Sequence, residues 1–471
     1  MGAEGEIKNL SARVVAEFTG TFLLIFTVGC NVLSQTPVWA GVSIACVLMV
    51  AIYAFGGISG ANFNPAVSVM LGIVESMKTG AGMPWKEVGI YCGVQIAAGI
   101  LAGFSYFALF GHTFNLAPAK GFGWLSAGLC ELFYTFMLTF VVANVAVTKD
   151  EDVAGKKDTD GKQKGNDYYG LAIGFSVVAG AYGAGTVSGG CFNPAVAIGI
   201  DVSSMHLGIG WSLLYVVFEL VGCALAAILY KVVRPGDFDG AAADKKTLVP
   251  KLTSEFIGTF MLVLTVGLNV LGKSPAAAFS IAASLMCMIY ALGDISGAHF
   301  NPAVTLALVV FGETTDLKEA GMYMATQIAG GIAAAFTYAG IYYGETFPLG
   351  PGAGYHLLQA SVAELVFTFV LCLIVLSVAV SKTTHNGSMF GLAIGSCVTV
   401  GGFAIGSISG GSLNPAVSFG IAVSSLMHGG SVLMALLYSI VEFAAGAAAA
   451  GLVIFTHGKN EATLADPEKG K

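Results

Sequence analysis

Charge is what this sequence has least of. Its 471 residues include 21 Lys or Arg and 28 Asp or Glu, 10% together, where a soluble globular domain carries about 25%. Arginine is nearly missing: Arg13 and Arg234 are the two in the chain. With 56% hydrophobic residues and a mean hydropathy of +0.80, this scarcity excludes a soluble enzyme, a disordered chain and a nucleic-acid binder. Paired cysteine motifs are also missing. The nine cysteines contain no CxxC and fall almost wholly inside apolar runs, so they read as small buried hydrophobes rather than as a disulfide framework or metal site. Ser, His and Cys residues stand isolated, with no triad or metal-ligand spacing, so no enzyme, catalytic residue, metal or cofactor is expected. Glycine, by contrast, is plentiful, at 64 residues.

What is present is apolar and segmented. A bilayer core of about 30 Å needs about 20 helical residues. Runs of that length lie near 11–34, 38–57, 86–110, 124–147, 169–188 and 209–232, and again near 253–273, 277–295, 319–344, 357–380, 389–407 and 431–455. Twelve spans are therefore expected. Shorter apolar stretches, too short to cross, follow Asn64, Asn193, Asn301 and Asn414. The opening MGAEGEIKN runs into a full-length span with no small-residue cleavage site, so a removable signal peptide is not expected. With the N-terminus inside, 19 of the 21 basic residues fall on the cytoplasmic side, and Lys120 and Lys273 fall outside. The positive-inside rule then places both termini in the cytoplasm, in the plasma membrane or an intracellular membrane.

The chain repeats itself. SIACVLMVAIYAFGGISGANFNPAV at 43–67 returns as SIAASLMCMIYALGDISGAHFNPAV at 280–304, an offset of 237 residues. This divides the chain into a first unit at 1–231, a polar cytoplasmic linker at 232–252, and a second unit at 253–471 that ends in a short polar tail. The charged loop at 148–168 reads as a simple cytoplasmic connector, with a regulatory segment as the alternative. Each unit holds a fainter echo: Asn-Pro-Ala-Val at 64–67 and 193–196, then at 301–304 and 414–417. Three spans separate the paired motifs, so the two copies enter the membrane from opposite faces, an inverted repeat of the kind transport folds use.

The motif has a physical reading. Asn is a preferred N-cap and Pro is preferred at the first helical position. Asn64-Pro65-Ala66, Asn193-Pro194-Ala195, Asn301-Pro302-Ala303 and Asn414-Pro415-Ala416 therefore each open a half-helix. The Gly-rich residues before them form re-entrant loops, tolerated at membrane depth only around a water-filled path. Two half-helix N-termini meeting at mid-membrane, each carrying about +0.5 charge, repel cations, while the Asn amides offer N–H to neutral solutes.

Four such motifs, each preceded by Ser-Gly and followed by Val, in twelve spans with inverted pairing, resemble the major intrinsic proteins, the aquaporin and aquaglyceroporin family. The resemblance covers about 11–232 and 252–456. It implies an all-α membrane protein of two aquaporin-like units. Each would have six transmembrane helices and two re-entrant half-helices in inverted-repeat topology. Its family marks include Glu17, Glu131, Glu255 and Glu364, buried glutamates that in this family brace the re-entrant loops, with Gln95 and Gln327 beside them. It further implies a passive channel for water and small neutral solutes with one pore per unit. The lipid bilayer is the surrounding partner, and a homo-oligomer is expected, a dimer of tandem chains giving four pores.

The sequence also departs from the family. An Arg usually follows the second Asn-Pro-Ala; here Val196 and Val417 stand there. Matching the other constriction positions gives Ile44, Ala181 and Gly190 in the first pore, and Ile281, Gly402 and Gly411 in the second. Such a wide, apolar ring suits glycerol, urea, ammonia or carbon dioxide, passes water if it stays wetted, and can also close by dewetting. Glu219 and Glu442 replace a usual Pro in the sixth spans. They read either as helix-packing or protomer-contact carboxyls, or as pore-facing groups that attract cations. Asp201 reads as a solvated loop-end acid, and Cys191 either as a site of mercurial block or as a small loop residue. Two other classes use comparable sequences: a secondary transporter with inverted repeats, and a non-conducting structural membrane protein.

Overall fold

A computed structural model describes residues 3–77, 80–149, 153, 166–239 and 247–457. Most of the charged loop at 148–168, residues 240–246 of the linker and the tail beyond 457 lie outside the described residues. The chain separates into two compact units, Met1–Lys245 and Lys246–Lys471.

The first unit contains α1 (Ala3–Leu33), α2 (Ala40–Ser59), α3 (Pro65–Ser76), α4 (Trp85–Phe110), α5 (Trp124–Val142), α6 (Tyr169–Ala184), α7 (Pro194–Ser203) and α8 (Trp211–Val233). The second repeats the order with α9 (Leu248–Leu271), α10 (Ala277–Ser296), α11 (Pro302–Phe311), α12 (Leu317–Ile341), α13 (Leu357–Val375), α14 (Phe390–Ser409), α15 (Pro415–Ser425) and α16 (Leu433–His457). No strand occurs among the described residues. Long apolar stretches become helices because, in lipid, a helix alone satisfies its own backbone polar groups without a partner strand.

Eleven of these helices are long and apolar enough to cross a membrane, where twelve were expected. The exception is α6, which stops after 16 residues at Ala184. Residues 185–188 continue as turns, because Gly185 and β-branched Thr186 and Val187 are poor helix formers. The helix ends also narrow the linker from both sides: α8 runs to Val233 and α9 starts at Leu248.

Contacts within each unit obey the inverted repeat. The pair α1–α4 matches α5–α8, α1–α2 matches α5–α6, and α4–α7 matches α8–α3. The α4–α7 crossing is close because glycines make it. A Cβ on Gly99 would lie 2.5 Å from the Ala195 carbonyl oxygen, and one on Gly199 would lie 2.6 Å from that of Gly99. The second unit repeats this with Gly331 against Ala416 (2.4 Å) and Gly420 against Gly331 (2.7 Å). Small residues permit such backbone approach in membranes. Gly99→Val is therefore expected to cost about 1–3 kcal/mol by overpacking. A thermal melt of the detergent-solubilised chain should register it as a lowered Tm; an unchanged Tm would mean that the crossing yields freely.

Candidate functional site

Each unit converges on its two re-entrant loops. The long helix before the first loop ends at a left-handed glycine, Gly60 (φ 88°) in the first unit and Gly297 (φ 85°) in the second. The chain must turn sharply there, and a residue with a Cβ would resist it. Further on, non-glycine residues also take positive φ: Phe63 (50°), Phe192 (52°), Phe300 (49°) and Leu413 (54°), each immediately before the motif Asn. That conformation is costly for a bulky residue and persists only where the surroundings hold it.

Carboxylates hold it. Glu17 of α1 accepts the N–H groups of Asn62 (3.0 Å) and Phe63 (2.8 Å). Glu131 of α5 accepts those of Cys191 (3.1 Å) and Phe192 (2.7 Å). Glu255 of α9 takes His299 (3.0 Å) and Phe300 (2.8 Å), and Glu364 of α13 takes Ser412 (3.0 Å) and Leu413 (2.8 Å). All four glutamates have no exposed surface. Gln95 and Gln327 donate to Glu17 and Glu255 at 2.8 and 2.7 Å. A tyrosine hydroxyl pins the start of every loop: Tyr91 to the Ser59 carbonyl, Tyr215 to Ser188, Tyr323 to Ser296 and Tyr438 to Ser409.

The four motif asparagines do two things at once. Each caps its half-helix, with Oδ1 accepting the N–H of Ala66, Ala195, Ala303 or Ala416 at 2.8–2.9 Å behind Pro65, Pro194, Pro302 or Pro415 at the first helical position. Each also reaches the opposite loop. Asn64 Nδ2 donates to the Phe192 carbonyl (2.8 Å) while Asn193 Nδ2 donates to the Phe63 carbonyl (2.9 Å). Asn301 and Asn414 make the same exchange with Leu413 (2.8 Å) and Phe300 (2.9 Å). The two half-helix N-termini are thus tied to each other, and each amide keeps one N–H beyond the cross-link.

In the first unit a cavity of about 760 Å³ runs past this point. It extends from Val32, Pro37 and Tyr182 at one end to Thr148, Lys149 and Asn166 at the other. Ile44, Ala181, Gly190 and Val196 line it together, as do Asn64, Asn193 and Cys191. Among the described residues lining it, Lys149 alone is charged. Neither arginine lies on it: Arg13 pairs with Glu87 and Tyr91, and Arg234 donates to Asn144. In the second unit a Cβ on Gly411 would lie 3.5 Å from the Gly402 Cα, Val417 is buried and Ile281 half-buried. No group of His, Cys, Asp and Glu able to hold a metal occurs among the described residues.

Two acids behave differently from the sequence expectation. Glu219 is not among the residues that line the first unit's cavity; fully buried, it and Glu442 accept the backbone N–H of Asn193 (2.9 Å) and Asn414 (3.0 Å) behind the second loop. The physical reason is that the motif Asn presents its own N–H away from the lumen, where a buried acceptor must meet it. Asp201 is not solvated either. It is 1% exposed and accepts Gly210 N–H, Ser212 N–H and Ser212 O–H, closing the turn into α8.

A family model, Major intrinsic protein, matches residues 6–158, 152–271 and 267–454. Aquaporin NIP2-1 of Zea mays is 36% identical over 215 residues, spanning 42% of this chain and 69% of that protein. Probable aquaporin NIP4-2 of Arabidopsis thaliana is 30% identical over 238 residues, spanning 48% and 75%. The X-ray structure of the aquaglyceroporin from Plasmodium falciparum aligns with 47% of this chain and 98% of its own, with a TM-score of 0.39 and 20% identity.

Proposed function

This chain belongs to the major intrinsic protein family, a multi-pass membrane protein that forms a channel for water or small solutes, and on that footing we propose that each of its two units is a separate passive pore for uncharged solutes. The reading is carried by the reciprocal Asn amide-to-carbonyl tie. It sets two positive half-helix ends against one narrow path, so cations are repelled while the remaining amide N–H groups serve a neutral hydroxyl or water oxygen. The small, apolar ring of Ile44, Ala181, Gly190 and Val196, and its counterpart Ile281, Gly402, Gly411 and Val417, supports passage of glycerol and urea as well as water, and of ammonia or carbon dioxide. The sorting of the basic residues supports cytoplasmic termini. Two units per chain support a dimer with four pores.

Vesicles containing the protein are expected to show non-saturating flux of water and glycerol with a low activation energy and no dependence on a proton gradient. Saturation or gradient coupling would favour a carrier, and permeability equal to that of empty vesicles would leave the pores non-conducting.

A further inference from the structure

The four loop brackets share one plan but not one chemistry. In each, a tyrosine pins the serine before the loop, and the residue four positions later lies beside the bracing glutamate. At the first loops that residue is Gln95 or Gln327, whose amide donates to Glu17 or Glu255. At the second loops the inverted-repeat position holds Glu219, four beyond Tyr215, and Glu442, four beyond Tyr438. An amide has N–H donors; a carboxylate has none.

Glu219 Oε1 is occupied by the Asn193 N–H. Its Oε2 is buried with no N–H or O–H donor and meets the carboxyl of Glu131, whose own oxygens already take two loop N–H groups. In the second unit Glu442 Oε1 takes the Asn414 N–H and the Ser418 hydroxyl, and Oε2 again has no donor, with Glu364 beside it. The other titratable groups facing the first pair are Tyr215 and Cys223 of α8, Cys130 of α5, Cys191 of the loop, Asp201 of α7 and, against Cys223, Cys92 of α4. Around the second they are Tyr438 of α16, Cys372 of α13 and, against Cys372, Cys397 of α14. None of these is basic. In each unit the two carboxyls take three consecutive backbone N–H groups, 191–193 or 412–414, and two bare carboxylates held side by side in this way at membrane depth, with no cation, repel each other strongly.

We propose that the pairs Glu131–Glu219 and Glu364–Glu442 each hold one proton between two carboxyls, that this proton does the work of the Gln95 and Gln327 amides, and that its loss to water on alkalinisation frees the second loop and shuts the pore. The closure step rests on the reading of both units as conducting pores; the shared proton does not. Glu219→Gln with Glu442→Gln supplies the missing donor permanently and makes the second bracket the chemical equal of the first.

The test uses the full chain in lipid vesicles, with two readouts. Infrared spectra of the wild type at neutral pH should contain a protonated-carboxyl C=O band that disappears on alkaline titration and is reduced in Glu219→Gln/Glu442→Gln. Solute flux should be lost at alkaline pH in the wild type, persist at alkaline pH in the Gln pair, and be lost at every pH in Glu219→Leu/Glu442→Leu. An infrared band unchanged by the Gln pair, identical pH profiles for wild type and Gln pair, or a Gln pair that fails to conduct at neutral pH would each overturn the proposal. Absence of flux from the wild type would instead overturn the channel reading, and the band would still decide the shared proton.

Discussion

Glu17→Ala combined with Glu255→Ala is expected to abolish solute flux, whereas either change alone should leave about half of it on the proposal of one pore per unit. The alanine leaves the N–H groups of Asn62 and Phe63, or of His299 and Phe300, buried without an acceptor. Each such donor costs about 1–3 kcal/mol. The same change strands the Gln95 or Gln327 amide. It also removes what holds Phe63 or Phe300 at positive φ. The loop then relaxes, and its Asn loses the geometry that meets the opposite carbonyl. Stopped-flow light scattering on vesicles with matched protein content is the measurement. A single variant that silences the whole chain, or a double variant that conducts normally, would show that the braces do not act pore by pore.

The second large effect concerns selectivity. Val196→Arg with Val417→Arg should cut glycerol and urea flux much more than water flux. Val196 and Val417 are each 4% exposed, packed at the ring where Gly190 and Ala181, or Gly411 and Gly402, leave space. A guanidinium placed there fills that space and adds a fixed positive charge with several donors. Each 1.4 kcal/mol of added barrier is about a tenfold loss of rate, so a glycerol flux reduced by roughly tenfold or more is the expected scale. Glycerol flux unchanged by both substitutions would place the narrowest point elsewhere in the lumen.

How much of this was legible in the sequence differs from residue to residue. Asn64-Pro65 and its three relatives announce a capped half-helix because both residues are selected by local backbone chemistry. The spans are legible because lipid permits little besides helices. The end of α6 at Ala184 was not, since apolar runs do not reveal where Gly185, Thr186 and Val187 let the helix unwind. Nor was the partner of Glu219. Comparing it with the Pro usual at that position pointed to a helix face, whereas the spacing Tyr91–Gln95, Tyr215–Glu219, Tyr323–Gln327, Tyr438–Glu442 held the signal all along. Asp201 was misjudged because its partners, Gly210 and Ser212, become neighbours only once the chain turns back into α8.

The tie between opposite asparagines also sets a schedule for synthesis. Asn64 cannot complete its bond until Phe192 exists, 128 residues later. A ribosome adding about 5–20 residues per second needs roughly ten seconds for that stretch. Through that interval the Asn64 amide has no Phe192 carbonyl to meet, while the residues of α4, α5 and α6 are still being added. The same wait recurs between Asn301 and Leu413, 112 residues apart. Each unit therefore passes once through a state in which its first motif Asn has been made and its partner carbonyl has not, and the tie of the first unit can close before Asn301 is made.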